Sequence, residues 1–206
     1  MDCPGPDGHV FFVALNENVY RPGDDSFLLA KAVAAEVKPG TRFLEVGCGT
    51  GFVSLVAARA GARVTCTDMN PRAVALARHN ARENHVELTA MEADLLQGLA
   101  GPFDLVAFNP PYLPTAREEY IPGPLNLAFD GGPDGNQVVL RFAEQLGKLS
   151  PLATTVLVIH SSLSDPQPLK DALARFGYRS EVVAEESHFY ERLTVLRFSP
   201  VSSTRR

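Results

Sequence analysis

Asn109-Pro110-Pro111-Tyr112 places an amide, two imino acids and a phenol at the end of a short apolar run, Asp104–Phe108. The run has the length and the Phe, Leu and Val content of a buried strand. Each proline drives the residue before it out of the helical region, so the chain leaves that strand stiff and extended. The Asn109 side chain carries a carbonyl oxygen, and Pro110 lacks an N–H but keeps its carbonyl. A planar NH2 group could donate one hydrogen to each of these oxygens, with Tyr112 against its flat face. The stretch thus reads as a receptor for an amide or an aromatic amine. It also reads as a rigid turn, since Asn and Pro are common turn residues.

Upstream, Arg42–Val46 reads as a strand, Gly47-Cys48-Gly49-Thr50-Gly51 as a glycine turn and Phe52–Arg59 as a helix. Strand, glycine turn and helix form the opening unit of a nucleotide-binding doubly wound sheet. A dinucleotide fingerprint wants a small residue where this chain has Phe52, which counts against NAD. The next strand, Ala62–Thr67, ends at Asp68, 21 residues after Gly47. An acidic residue there binds ribose hydroxyls in this architecture. Asp68 or Asn70 could instead cap the helix that opens at Pro71. Asp94 could accept from an adenine amine, or be a loop aspartate. Ser26, after Asp24 and Asp25, stands at the start of an apolar helical run. It reads as a cap, or as part of a helix N-terminus facing a ligand carboxylate. Glu45, Asp68 and Asp94 together supply acidity suited to a cationic ligand.

These groups need a scaffold that brings strand ends together. Further strands are expected at Val86–Met91, Thr154–Ile159, Arg179–Val183 and Leu193–Phe198, and helices at Ala73–Asn84, Gln137–Leu149 and Pro166–Phe176. The alternation predicts an α/β fold with a seven-stranded, mostly parallel sheet in the order 3-2-1-4-5-7-6, strand 7 antiparallel. It is expected to form one domain over residues 1–206, with an irregular segment at 1–23 and a tail at 199–206. Residues 113–135, rich in Pro and Gly, read as a lid or binding segment. His160 and His188 read as loop or cap residues, and the final hairpin, turning around Glu185–Tyr190, shows no site signature. With 45% hydrophobic and 21% charged residues the composition is that of a globular domain. A net charge of −5 counts against an unassisted grip on long nucleic acid. Three cysteines without C-x-x-C spacing fit a reducing cytoplasm and argue against a metal site. No apolar run has the length of a membrane span.

In this order and spacing, Glu45–Gly51, Asp68, Asp94 and Asn109–Tyr112 resemble a class I (Rossmann-like) S-adenosylmethionine-dependent methyltransferase. The chain is similar to the HemK/PrmC family, which methylates a glutamine side-chain amide in translation release factors. Val19–Leu29 resembles the entry segment of its short eukaryotic and archaeal branch, Asp130–Gly135 resembles the family's loop after the Asn-Pro-Pro-Tyr motif, and the helical N-terminal domain of the long bacterial branch is not seen. The resemblance implies that Gly47, Gly49 and Gly51 line the cofactor. It further implies that Asp68 holds the ribose, that Asp94 with Leu95 holds the adenine, that Ser26 stands near the amino-acid end, and that Glu45, Met69 and Asn109 are also among the cofactor-binding residues. Asn109, Pro110 and Tyr112 would hold the target amide. It implies too a small zinc-binding activator subunit added along the edge strand Val86–Met91, which carries one charge and no proline. Methylation of an adenine exocyclic amine in RNA or DNA, methylation of a protein lysine, and a non-catalytic scaffold are the other readings.

Overall fold

Two runs of buried residues form the centre of the sheet. In the computed structural model, which describes residues 1–115, 123, 125–149 and 154–201, β3 (Arg42–Val46) is buried at four of its five positions and β6 (Leu105–Phe108) at all four. Strands buried on both faces read as continuous apolar runs because helices cover each side. Alternate residues face opposite layers. Phe43, Leu105 and Ala107 pack with α1 (Asp24–Glu36) and α2 (Phe52–Arg59). Leu44, Val46, Val106 and Phe108 pack with α4 (Gln137–Leu149) and α5 (Gln167–Arg175). α3 (Pro71–Glu83) lies beside α2 and contributes Ala81 to the first layer.

The sheet runs β5-β4-β3-β6-β7-β9-β8, where β4 is Arg63–Asp68, β5 Thr89–Glu92, β7 Thr155–Ser161, β8 Tyr178–Ser187 and β9 Arg192–Pro200. β9 is antiparallel to both its neighbours and the remaining pairs are parallel. This is the predicted order and sense. The chain steps outward from β3 to β5, then returns to β6 on the other side. The order therefore reverses between β3 and β6, where open α/β sheets bind ligands at the carboxyl ends of strands.

Three expectations are corrected. The N-terminal segment is not irregular throughout: β1 (Asp2–Pro4) and β2 (Val10–Phe12) pair antiparallel and bury Cys3 and Phe11. Asn80 and Asn84, one turn apart on α3, hold this segment by mimicking backbone pairs. Asn84 accepts from Phe12 N–H (3.0 Å) and donates to Phe12 O (2.7 Å), and Asn80 does the same with Ala14 (2.9 and 3.3 Å). Phe52, read as a departure from a dinucleotide turn, packs edge-on to Phe11 and Phe27. The second correction concerns the edge strand, which is Thr89–Glu92 rather than Val86–Met91. His85 turns the chain at a φ of 55°, and Val86 and Leu88 tuck against the core before pairing begins. Third, β8 runs on through Ser187 and β9 through Pro200, so the hairpin turn is tighter than expected and the tail begins later. Residues 202–206 and most of 116–124 lie outside the described residues.

Candidate active site

The glycine turn leaves β3 and enters α2 with Gly51 as N-cap at a φ of 82°. A Cβ there would meet Ala77 Cβ of α3 at 2.9 Å, so only glycine lets α2 and α3 close. Asp68 braces the same turn from the end of β4. One of its oxygens accepts from Gly49 N–H (2.9 Å), the other from Asn70 N–H (2.9 Å). The helix cap is Asn70, which accepts from Arg72 N–H, and Pro71 is the first helical residue. The two tasks left open for this pair are thus divided. Asp68 keeps spare lone pairs on a carboxylate that lines the cavity. Burial pushes its pKa up, against the two N–H bonds.

Glu45, buried at 4% exposure, turns its carboxylate under the start of α2, where Ser54 N–H (2.8 Å) and the Ser54 hydroxyl donate to one oxygen. Desolvation outweighs these bonds and raises its pKa to about 8. Asp94 is half-exposed and ion-paired to Arg141 of α4. Leu95 has a φ of 58°, uncommon for a residue with a branched side chain, and Thr67 Oγ1 donates to its carbonyl (3.1 Å). Met69 is half-exposed beside Asp68 and also lines the cavity.

The end of β6 meets the start of α1. Gly23 is the N-cap of α1, and Ser26 at the third helical position takes Gly23 N–H on its hydroxyl (3.4 Å). Ser26 thus caps its helix and also lines the cavity, so both readings of it hold. Asp25, beside it, does more than cap. Its carboxylate accepts from Ser26 N–H (2.6 Å), Tyr20 Oη (3.0 Å) and, across 84 residues, Asn109 Nδ2 (3.0 Å). Tyr112 Oη donates to it as well (3.4 Å). Burial, followed by the Asp25 charge, holds both phenol pKa values well above the ordinary range, so both remain O–H donors. The Asn109 amino group is taken by Asp25, which leaves the carbonyl oxygen over on a residue that lines the cavity. That oxygen is buried and has no hydrogen-bond partner among the described residues.

These elements enclose one cavity of about 450 Å³ that every predicted site residue but Gly51 lines, from Ser26 and Glu45 through Gly47 and Gly49, Asp68, Met69, Asp94 and Leu95 to Asn109, Pro110 and Tyr112; Gly51 instead shapes the turn between the cavity and α2. Six carboxylates line it against one guanidinium, Arg141, an excess that favours a cationic ligand. Among the liners that sequence reasoning did not assign to the site are four with polar or charged side chains: Tyr20, Asp25, Arg141 and Glu191. Glu191 belongs to the turn of the final hairpin, so that hairpin does carry a site residue. Its carboxylate accepts from Ser161 Oγ (2.5 Å), and His188 of the same turn pairs with Asp24 (3.3 Å). Between them Phe189 and Tyr190 are 92% and 86% exposed at the tip. His160 meets Ser164 Oγ and lies outside the cavity lining. Leu113 N–H donates to Phe129 O and Gly131 N–H to Leu113 O (both 3.0 Å), closing the base of the long segment over the site.

The family model of the methyltransferase small domain matches residues 22–120. A protein of Methanocaldococcus jannaschii, whose name assigns it protein N5-glutamine methylation without establishing it, is 39% identical over 88% of this chain and 92% of its own length. Methyltransferase HEMK2 of Mus musculus is 37% identical over 93% of this chain and 94% of its own. Among solved structures, the E. cuniculi Mtq2–Trm112 complex, responsible for methylation of the eRF1 translation termination factor, superposes with a TM-score of 0.72 at 23% identity, over 89% of this chain and 99% of that one. The T. thermophilus 16S rRNA methyltransferase RsmC, solved with AdoMet and guanosine, gives 0.73 at 16% identity, over 98% of this chain and 50% of that one. These two structures support the fold.

Proposed function

The chain belongs to the HemK/PrmC family of S-adenosylmethionine-dependent glutamine methyltransferases, and from that membership we propose that it methylates the side-chain amide of a glutamine in a translation release factor. The observation that carries this reading is the Asn109 carbonyl oxygen, buried, on a residue that lines the cavity, and without a hydrogen-bond partner among the described residues. An orphaned buried acceptor costs about 1–3 kcal/mol unless a ligand donor fills it. A primary amide has such a donor.

The cavity suits the cofactor. Asp68 offers acceptors for hydroxyls, Met69 and Leu95 give apolar surface, Asp94 gives an acceptor beside them, and the start of α1 at Ser26 suits a carboxylate. When bound, S-adenosylmethionine supplies a methyl group carried on a sulfonium cation. The acidic wall favours that charge. Asn109 takes one N–H of the substrate amide and fixes its nitrogen in direction. An amide nitrogen is a poor nucleophile because its lone pair is delocalised into the carbonyl, so orientation carries much of the rate. As the nitrogen gains positive character, the Asn109 carbonyl dipole and the Asp25 carboxylate behind it stabilise it. The exposed Phe189–Tyr190 tip beside Glu191 supports a protein rather than a small molecule as substrate, because exposed aromatics next to a site favour docking. An adenine amine would meet the same acceptor, but the net charge of −5 disfavours a long polyanion.

A small zinc-binding activator subunit belongs to the same reading, supported by the two-chain assembly of the solved relative and by the open edge of β5. The reading places the protein in the cytoplasm with its substrate. Incubation of the chain, alone and with such a subunit, with labelled cofactor and three acceptors tests it: a release factor, the same factor with its target glutamine replaced by alanine, and an adenine-rich RNA. Label should enter the first acceptor alone. Label in the RNA, or equal label in both proteins, would overturn the reading.

A further inference from the structure

The amide of Asn109 is nearly symmetric in shape and opposite in chemistry at its two ends. Turned one way it presents an acceptor to the cavity. Turned the other way it presents an NH2 group, which cannot receive a substrate N–H. The β6 backbone fixes where the amide sits, not which way it faces. We propose that Asp25 is the positioning residue that sets this polarity, and that the pair Asp25–Asn109, rather than Asn109 alone, is the amide receptor. The inference rests on the methyl-transfer reading above and goes beyond it in assigning a residue outside the Asn-Pro-Pro-Tyr stretch.

An ionised carboxylate only accepts. With Asp25 Oδ2 at 3.0 Å from the amide nitrogen, the reversed amide would set two oxygens against each other at the same distance. Asp25 cannot turn aside, because its other oxygen is held by Ser26 N–H (2.6 Å) and by the Ser26 and Tyr20 hydroxyls (both 3.1 Å). It is 4% exposed, so water does not compete for these bonds. Gly23 leaves the room: a Cβ there would stand 2.8 Å from Tyr20 Oη and 3.1 Å from Asp25 Oδ1. Local capping needs none of this reach to β6.

The geometry permits a swap. In Asp25→Asn the side-chain oxygen can keep Ser26 and Tyr20 while the new NH2 faces residue 109. Paired with the native Asn109, that NH2 draws the amide round to the wrong polarity. Paired with Asn109→Asp, it donates to one carboxylate oxygen and leaves the other as the cavity acceptor. Asn109→Asp alone sets two carboxylates about 3 Å apart, so that one must hold a proton. Tyr20 and Tyr112 touch Asp25 directly, Glu191 acts on both phenols and Asp24 on that of Tyr20, so these charges are common to all four proteins of the cycle.

The test is a double-mutant cycle on the full chain with a glutamine-bearing protein substrate, read as kcat and KM, with cofactor affinity by calorimetry and the thermal midpoint followed from pH 5 to pH 8. Each single variant should lose about 100-fold in kcat with cofactor affinity kept, the scale of one transition-state contact. The double variant should return to within about 10-fold of the native enzyme. Asn109→Asp alone should lose thermal midpoint as pH rises, and the double variant should lose none beyond the native slope. A merely structural Asp25 predicts a double variant at least as impaired as Asp25→Asn, and that result overturns the proposal. The pH arm needs no substrate. If the native chain leaves glutamine unmodified while the swap still cancels the Asn109→Asp pH dependence, the methyl-transfer reading fails and the hold of Asp25 on residue 109 stands. If glutamine is methylated and the swap restores nothing, the proposal alone fails.

Discussion

Glu45→Gln isolates a single buried proton. Burial raises the Glu45 pKa from 4.5 to about 8 in the fold, in spite of the Ser54 donors. The folded protein therefore binds a proton that the unfolded chain has released at neutral pH. More protons bound in the folded state means that stability falls as pH rises, beginning near the unfolded value and ending near the folded one. Each pH unit inside that window is worth about 1.4 kcal/mol. Between about pH 5 and about pH 7 this group alone should remove about 2.5 kcal/mol from the cofactor-free protein. Glutamine keeps the carbonyl that receives both Ser54 donors and places an uncharged amide where the second oxygen was. Urea unfolding at a series of pH values gives the comparison through the transition midpoints. Between about pH 5 and about pH 7 the native stability should decline faster than that of Glu45→Gln, by about 2.5 kcal/mol. Parallel curves would refute the reasoning, since they would mean that Glu45 is ionised in the fold and that the helix start and Ser54 overcome its burial.

The same proton predicts that binding of a cationic ligand releases protons near pH 7, seen as a calorimetric heat that changes with the buffer's ionisation enthalpy; a heat independent of buffer would contradict it. Asp68→Ala should weaken cofactor binding by about 1–3 kcal/mol, through lost acceptors and a freed Gly49 N–H; unchanged affinity in a calorimeter would leave Asp68 as a brace for the turn alone. Gly51→Ala should cost about 2–4 kcal/mol in urea unfolding, because a left-handed backbone and an overlap with Ala77 combine. Paired Phe189→Ser and Tyr190→Ser changes should raise KM for the protein substrate with kcat and cofactor affinity kept; an unchanged KM would remove the hairpin tip from substrate docking.

The sheet order was legible because β-branched and apolar runs alternate with helical periods, and because crossovers in a parallel sheet have one hand. The glycine turn, Asp68 and the Asn-Pro-Pro-Tyr stretch were legible because each is a local chemical statement. Asp25 was not, for a physical reason: its neighbours Asp24 and Ser26 already account for it as a cap, and its decisive partner lies 84 residues away. Arg141 sits on an amphipathic helix where a surface arginine is expected, and Glu191 follows two aromatics in a turn with no motif. Strands of three residues, such as β1 and β2, are too short for alternation to register. The apolar pattern Val86, Leu88, Met91 suggested a longer edge strand because it does not distinguish residues that tuck against the core from residues that pair. Leu88 faces inward, so Leu88→Glu would unsettle the fold before it tested the edge; Thr89 and Met91, exposed on β5, are the positions that report on a docked strand.

The most direct test is mass spectrometry of a release factor after incubation with the chain, a small zinc-binding activator subunit of the kind proposed above and S-adenosylmethionine, alongside Asn109→Ala. One added methyl on a glutamine side-chain amide is predicted, lowered by about 100-fold in the variant while cofactor affinity holds. A methyl on lysine, or glutamine methylation that proceeds equally well without the Asn109 acceptor, would contradict the account.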